Sequence, residues 1–242
     1  MFKQLILLAL AGTAFAQAPR DFNDANQLYE QGKFSEAKQR YESLARTENL
    51  SSNLFYNLGN AEWKLGNAGA AALNYERALA LEPNHPETRA NLQFVRNQTG
   101  AKIEATRWWQ RLFLNISASN YAILAAVSGW LVLFCFAAIV FRGRSETGTL
   151  WFVAVMCALV CGYGLAGIFL AEKNRALAVV TAQRAAAHVA PADTASLADT
   201  LAAGSHVRVL SEGGAWTYCE LPNNARAWIA TNAIERVKPP RS

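Results

Sequence analysis

Apolar residues are distributed along this chain in three ways, and each pattern predicts a different kind of element. The densest lies in the centre. Two apolar runs, Tyr121–Phe141 and Leu150–Leu170, carry no charged residue and are separated only by the polar segment Arg142–Thr149. As a helix each run is roughly 31 Å long, about the thickness of a bilayer's hydrocarbon core. A backbone in lipid must satisfy its own hydrogen bonds, so each run is predicted to be a spanning helix. The short connection makes the pair an antiparallel hairpin, which puts Gln17–Gln110 and Ala178–Ser242 on one side of the membrane. Small residues recur every four positions on the second run, at Ala154, Ala158, Gly162 and Ala166, and the first run offers Ala122/Ala126 and Ala125/Gly129. Small faces let spanning helices approach closely, so these stripes are expected to pack within the hairpin or against another membrane protein. With no charge inside either run, a proton or ion path has no candidate residue.

Ahead of the hairpin the pattern is helical and repeats with a period of 34. Overlaying Ala18–Ser51 on Ser52–His85 aligns Ala25 with Gly59, Gly32 with Gly66, Ala37 with Ala71 and Tyr41 with Tyr75. A period of this length marks a helix–turn–helix solenoid. The second copy is the clearer: Phe55-Tyr56-Asn57-Leu58-Gly59-Asn60-Ala61, then Gly66, Ala71, Tyr75, Ala78-Leu79 and Pro83. Gly59 and Ala71 are small so that two helices can approach, Tyr75 and Leu79 fill the gap between repeats, and Pro83 ends the second helix. This copy closely resembles the tetratricopeptide repeat (TPR). The resemblance covers residues 18–97 as two repeats plus a capping helix, Glu87–Arg96, with Leu92 and Val95 facing inward. Asp24 departs from the pattern, standing where a Leu is expected.

The resemblance implies a concave peptide-binding groove lined by Asn26, Tyr29, Glu30, Asn53, Tyr56, Asn60, Trp63 and Lys64. One subfamily grips a terminal carboxylate with paired Asn residues, which Asn26 and Asn57 match. Phe22, Glu87 and Asn91 stand where its basic residues belong, so that clamp is not expected here. Tyr29, Tyr56 and Trp63 are candidates for partner contact, or for burial against the third helix.

Beyond the hairpin, residues 178–237 show the third pattern. Ala178–Thr181, Val207–Leu210, Trp216–Leu221 and Ala227–Ala230 are short apolar stretches separated by Pro191, Gly204, Gly213-Gly214 and Pro222-Asn223-Asn224. Such spacing predicts a small all-β module. It resembles the bacterial SH3-like domain, with Ala227-Trp228 at a motif that is usually Gly-Trp in that family. Trp216 and Trp228 are either ligand-binding surface or barrel filling, with at least one expected in the core.

Met1–Ala16 reads as a cleaved secretory signal: Lys3, the apolar Leu5–Ala11, then Ala14-Phe15-Ala16 ahead of Gln17. Residues 98–120 form a linker whose Arg107, Trp108, Trp109 and Arg111 suit the headgroup level, followed by spans 121–141 and 150–170. The signal places both flanking domains outside the cytoplasm. The basic residues oppose it, because Arg107, Arg111, Lys173, Arg175 and Arg184 flank the spans on that side against Arg142 and Arg144 in the loop. A net charge of +5 over 242 residues is spread too thinly for a nucleic-acid partner. Of four cysteines, Cys135, Cys157 and Cys161 lie in the spans, leaving only Cys219 outside them and no disulfide framework. His85, His188 and His206 are far apart, with no metal-ligand spacing, phosphate-cradling loop or nucleophile elbow nearby. His85, after Pro83-Asn84, is expected in an exposed loop.

The chain thus reads as a multi-domain membrane protein without enzymatic activity, cofactor or metal: a TPR solenoid, a transmembrane helical hairpin and a small SH3-like barrel. In architecture it resembles the BatE-type proteins of the bacterial Bat (aerotolerance) system. That resemblance implies an inner-membrane scaffold with periplasmic TPR and SH3-like domains, working beside von Willebrand A-domain proteins and a MoxR-type ATPase. A cell-wall module whose SH3-like domain binds peptidoglycan is the alternative. A signalling role would need a membrane partner, since the loop between the spans is too short for an output domain.

Overall fold

The computed structural model describes residues 21–46, 50–104, 113, 118–142 and 148–237. The signal segment and the Arg107–Arg111 cluster lie outside them. The described residues contain seven helices and a seven-stranded antiparallel sheet. They fall into two compact units: one from before residue 106 and after 175, the other between.

Five helices open the first unit: α1 (21–30), α2 (Phe34–Ala45), α3 (Ser52–Lys64), α4 (Ala68–Leu81) and α5 (Pro86–Thr99). Just past α1, α3 and α5 stand Gly32, Gly66 and Gly100, spaced by 34, with φ of 77°, 81° and 71°. A left-handed residue ends a helix, and glycine takes that conformation without strain. The period therefore extends into α5, which is the leading helix of a third, incomplete repeat. Its start corrects the expectation for His85. That half-buried side chain caps α5, its Nδ1 accepting from the Thr88 N–H at 3.3 Å, with Pro86 in the first turn. Ala25, Ala37, Tyr41, Leu44, Leu54, Leu58 and Ala61 form one core. Asp24 is exposed beside Ala25, so it leaves the buried face of α1 intact. A Cβ on Gly59 would lie 2.6 Å from the Tyr75 ring, which explains the small residue there.

The sheet comprises β1 (Leu177–Val180), β2 (Arg184–His188), β3 (Leu197–Ala202), β4 (His206–Gly213), β5 (Trp216–Glu220), β6 (Arg226–Ala230) and β7 (Ile234–Arg236), ordered β3-β2-β6-β5-β4-β1-β7. Inward residues from six strands, among them Val180, Ala187, Leu201, Val207, Cys219 and Ile229, share one core. The sheet therefore curls around its own interior. A bulge between Val209 and Ser211 turns Leu210 outward, leaving it 43% exposed.

The helices and the sheet, expected as separate domains, pack together within this unit. Val179 and Val237 join Ala71, Ala72, Leu73, Tyr75, Leu92 and Val95 in a second core. Contact is close because small residues stand at it: a Cβ on Gly69 would meet the Thr181 carbonyl oxygen at 2.3 Å. Polar links surround this core. Arg77 reaches Glu235 at 2.5 Å, Lys102 reaches Asp199 at 2.8 Å, and the backbone N–H of His206 donates to the Lys102 carbonyl at 2.9 Å. Glu76 of α4 bonds both Arg96 and His206. Burial alone would push its carboxyl up, but the hydrogen bonds and charges of His206 and Arg96 outweigh burial and hold it at about 2.

The second unit contains α6 (Ala118–Arg142) and α7 (Gly148–Arg175). Within them Asn120–Phe141 and Gly148–Ala171 are long and apolar enough to cross a membrane, with mean hydropathies of 2.6 and 2.3. The helices run antiparallel: Tyr121 meets Gly167, Ala125 meets Gly164, and Gly129 faces Cys161. Of the predicted four-residue stripes, the pair Ala125/Gly129 lies on this contact and most of the others do not. Ala154 is buried, but Ala158, Gly162 and Ala166 point away from α6, as do Ala122 and Ala126 from α7. Each four-residue step overshoots a full turn by about 40°, so such a stripe winds off the interface. Alternating steps of three and four stay on it, and Tyr121, Ala125 and Ser128 of α6 follow that spacing.

Candidate functional site

The leading helices α1, α3 and α5 lie side by side, and hydrogen bonds with the repeat's own period hold them. Asn26 Oδ1 of α1 accepts from the Tyr41 hydroxyl at 2.7 Å and from Asn57 Nδ2 of α3 at 2.9 Å. One repeat on, Asn60 Oδ1 accepts from the Tyr75 hydroxyl at 2.7 Å and from Asn91 Nδ2 of α5 at 3.0 Å. Each carbonyl thus ties its own hairpin to the next leading helix. Asn26 and Asn57, read as a possible clamp pair, are bonded to each other and make a structural joint.

A cleft of about 290 Å³ opens across the three helices. Tyr29 comes from α1, and Tyr56, Asn60, Trp63 and Lys64 from α3. The remaining lining residues are Tyr75 of α4 and Asn91, Phe94 and Val95 of α5. Five of the residues expected in the groove are therefore brought together. Asn26 and Asn53 are not. Asn26 lies in the joint just described, and exposed Asn53 faces His85 at 3.4 Å. Glu30 is also exposed, outside the cleft lining.

The walls are aromatic and held by their neighbours. Trp63 packs edge-on against Phe94 at 5.5 Å and Tyr29 edge-on against Phe34 at 5.1 Å, while Tyr56 lies tilted over the His85 ring at 5.2 Å. Tyr56 and Trp63 thus touch the third leading helix or its cap and still line the opening. Burial, and next the proximity of Tyr56, raise the Tyr29 hydroxyl above its ordinary value, so it stays protonated. Phe94 escapes the reading by resemblance and Asn91 entered it only as a replaced basic clamp position, although the period contains both: adding 34 to Asn57 and Asn60 gives these two positions.

A second cluster of rings lies on the outer face of the sheet. Trp216, Tyr218 and Trp228 alternate with the inward residues Thr217, Cys219, Ala227 and Ile229, so neither tryptophan fills the core. The expectation that at least one would do so is overturned by the small residues that close this interior, Ala185, Ala187 and Ala227. Tyr218 and Trp228 are cross-strand partners with ring centroids 4.9 Å apart, and Trp216 meets the His188 ring edge-on at 5.6 Å. The four rings span three adjacent strands, β2, β6 and β5.

Among the described residues, no three His, Cys, Asp or Glu side chains are grouped to hold a metal ion. No protein-family model matches the chain, and no curated protein is detectably similar to it.

Proposed function

We propose that this chain is a two-span, non-enzymatic membrane adaptor that captures an extended segment of a protein partner in the α1–α3–α5 cleft. The cleft carries this reading. It is concave, walled by partly exposed aromatic side chains and floored by amides, a composition suited to binding a protein segment. We read α1–α5 as tetratricopeptide repeats, on the 34-residue spacing of the glycines and asparagine joints, and the sheet as a bacterial SH3-like domain. With the two apolar helices this favours a Bat-type envelope scaffold facing the periplasm, beside von Willebrand A-domain proteins. The test is affinity purification of the full chain from membranes, wild type against a Tyr56→Ala/Trp63→Ala variant with an unchanged thermal transition. The variant is expected to lose its co-purifying partner at least about tenfold; equal recovery would exclude the cleft.

The outer-face rings support a second reading, in which the sheet binds the glycan of peptidoglycan by stacking. Sedimentation with insoluble murein decides it, comparing the full chain with a Trp216→Ala/Trp228→Ala variant. The full chain is needed because an isolated sheet would expose Val179 and Val237, which pack on α4 and α5. Retention that the double substitution does not change would reject the glycan reading.

A further inference from the structure

We infer that the segment held in the cleft is an acidic one, carrying an Asp or Glu side chain beside an aromatic or large aliphatic residue in extended backbone. This rests on the adaptor reading and specifies its ligand. The polar atoms turned to the cleft set the sign of the charge. Among the described residues Lys64 is the one charged residue in the lining, and it is exposed one helical turn beyond Asn60. Among the described residues no carboxylate lines the cleft to neutralise it, and Glu30 lies outside the lining. A carboxylate brought beside exposed Lys64 gains a solvent-screened ion pair, whereas a basic segment meets a like charge there.

The floor sets the backbone. Asn60 uses its carbonyl oxygen for Tyr75 and Asn91, which leaves its amide N–H groups as donors. Asn91 uses its amide nitrogen for Asn60 and, at 3.5 Å, for the Tyr56 hydroxyl, leaving its carbonyl as acceptor. A donor and an acceptor on neighbouring helices match one peptide unit of an extended chain, as at the edge of a sheet. The walls set the second side chain: Trp63, Phe94 and Tyr29 surround a space that takes one large apolar group. A volume of about 290 Å³ admits a few residues of a strand and is too small for a folded surface.

The experiment is selection of short linear peptides from a random display library on the full chain in detergent micelles, counter-selected on the Tyr56→Ala/Trp63→Ala variant. Enriched peptides are expected to place Asp or Glu within a few residues of an aromatic or large aliphatic. The best of them should weaken about two- to fivefold when that acid becomes Asn or Gln. Repeating the selection on Lys64→Glu, an exposed position whose change leaves the core intact, should replace the acid by Lys or Arg. Cleft-dependent peptides that are neutral or basic on the wild-type chain would overturn this inference and leave the adaptor reading standing. Enrichment that ignores the counter-selection would overturn both.

Discussion

At Asn60 a single carbonyl oxygen ties three helices together, accepting from Tyr75 within its hairpin and from Asn91 on the next leading helix. Tyr75 is almost wholly buried, so Asn60→Ala removes the acceptor of its hydroxyl at the cleft floor, at a cost of about 1 kcal/mol. Denaturant unfolding is expected to show that loss, and the Asn60→Ala/Tyr75→Phe pair should lose less than the sum of the two single changes. Gly59→Ala separates packing from propensity. In an open helix the change would stabilise by up to about 1 kcal/mol; here the added Cβ meets the Tyr75 ring at 2.6 Å. We expect destabilisation of about 1–3 kcal/mol, and a gain in stability would reject the close approach. Both roles were partly legible. The sequence showed where small and large residues recur, but which amide bonds which hydroxyl depends on helices that are distant along the chain.

At the scale of elements, the two apolar helices show how far periodicity reaches. Their existence follows from length and the absence of charge. Their contact face does not, because runs apolar all round give no indication of which side meets a partner. The observed seam predicts that Gly167→Val, whose side chain would strike the Tyr121 ring at 2.4 Å, lowers the thermal stability of the detergent-solubilised chain. Gly162→Val, with nothing within 4 Å, should leave it unchanged. Equal effects would mean that the seam lies elsewhere. The strands give the complementary lesson. β5 and β6 were readable as short apolar stretches between turn residues, whereas β2 was not, because Arg184-Ala-Ala-Ala-His188 lacks β-branched side chains. Alanines alternate inward there since the curled sheet leaves room only for small groups, a demand set by strands on the far side of its core.

Across the whole molecule, the packing of sheet on helices has a pH signature. The Glu76 carboxyl is held at about 2 against an ordinary 4.5, so it binds fewer protons folded than unfolded. Its contribution is complete above the unfolded value and is lost as pH falls through 4.5 towards 2. Unfolding of the full chain should weaken across that window, and Glu76→Gln should flatten part of the fall; an unchanged slope would show that Glu76 is not the group titrating. Topology is tested at the same scale. Cys219 is a poor probe, because burial pushes its thiol up to about 12 and closes it to reagents. Gln39→Cys on the exposed face of α2 is expected to react with a membrane-impermeant maleimide in intact spheroplasts. Reaction only after lysis would place the cleft in the cytoplasm and remove peptidoglycan as a ligand.

The sequence by itself determined what depends on near neighbours: the 34-residue period with its recurring small residues, the two apolar lengths and the four short apolar stretches that lie in strands. These follow from backbone geometry and from local solvent preference, which act within a turn or a strand. Only the tertiary structure decided that Trp216 and Trp228 face outward and that the Asn26 carbonyl joins Tyr41 and Asn57. It also decided that helices and sheet share one core through Val179 and Val237. Each of those outcomes is set by a surface supplied from elsewhere in the chain, and burial has no meaning until that surface is in place.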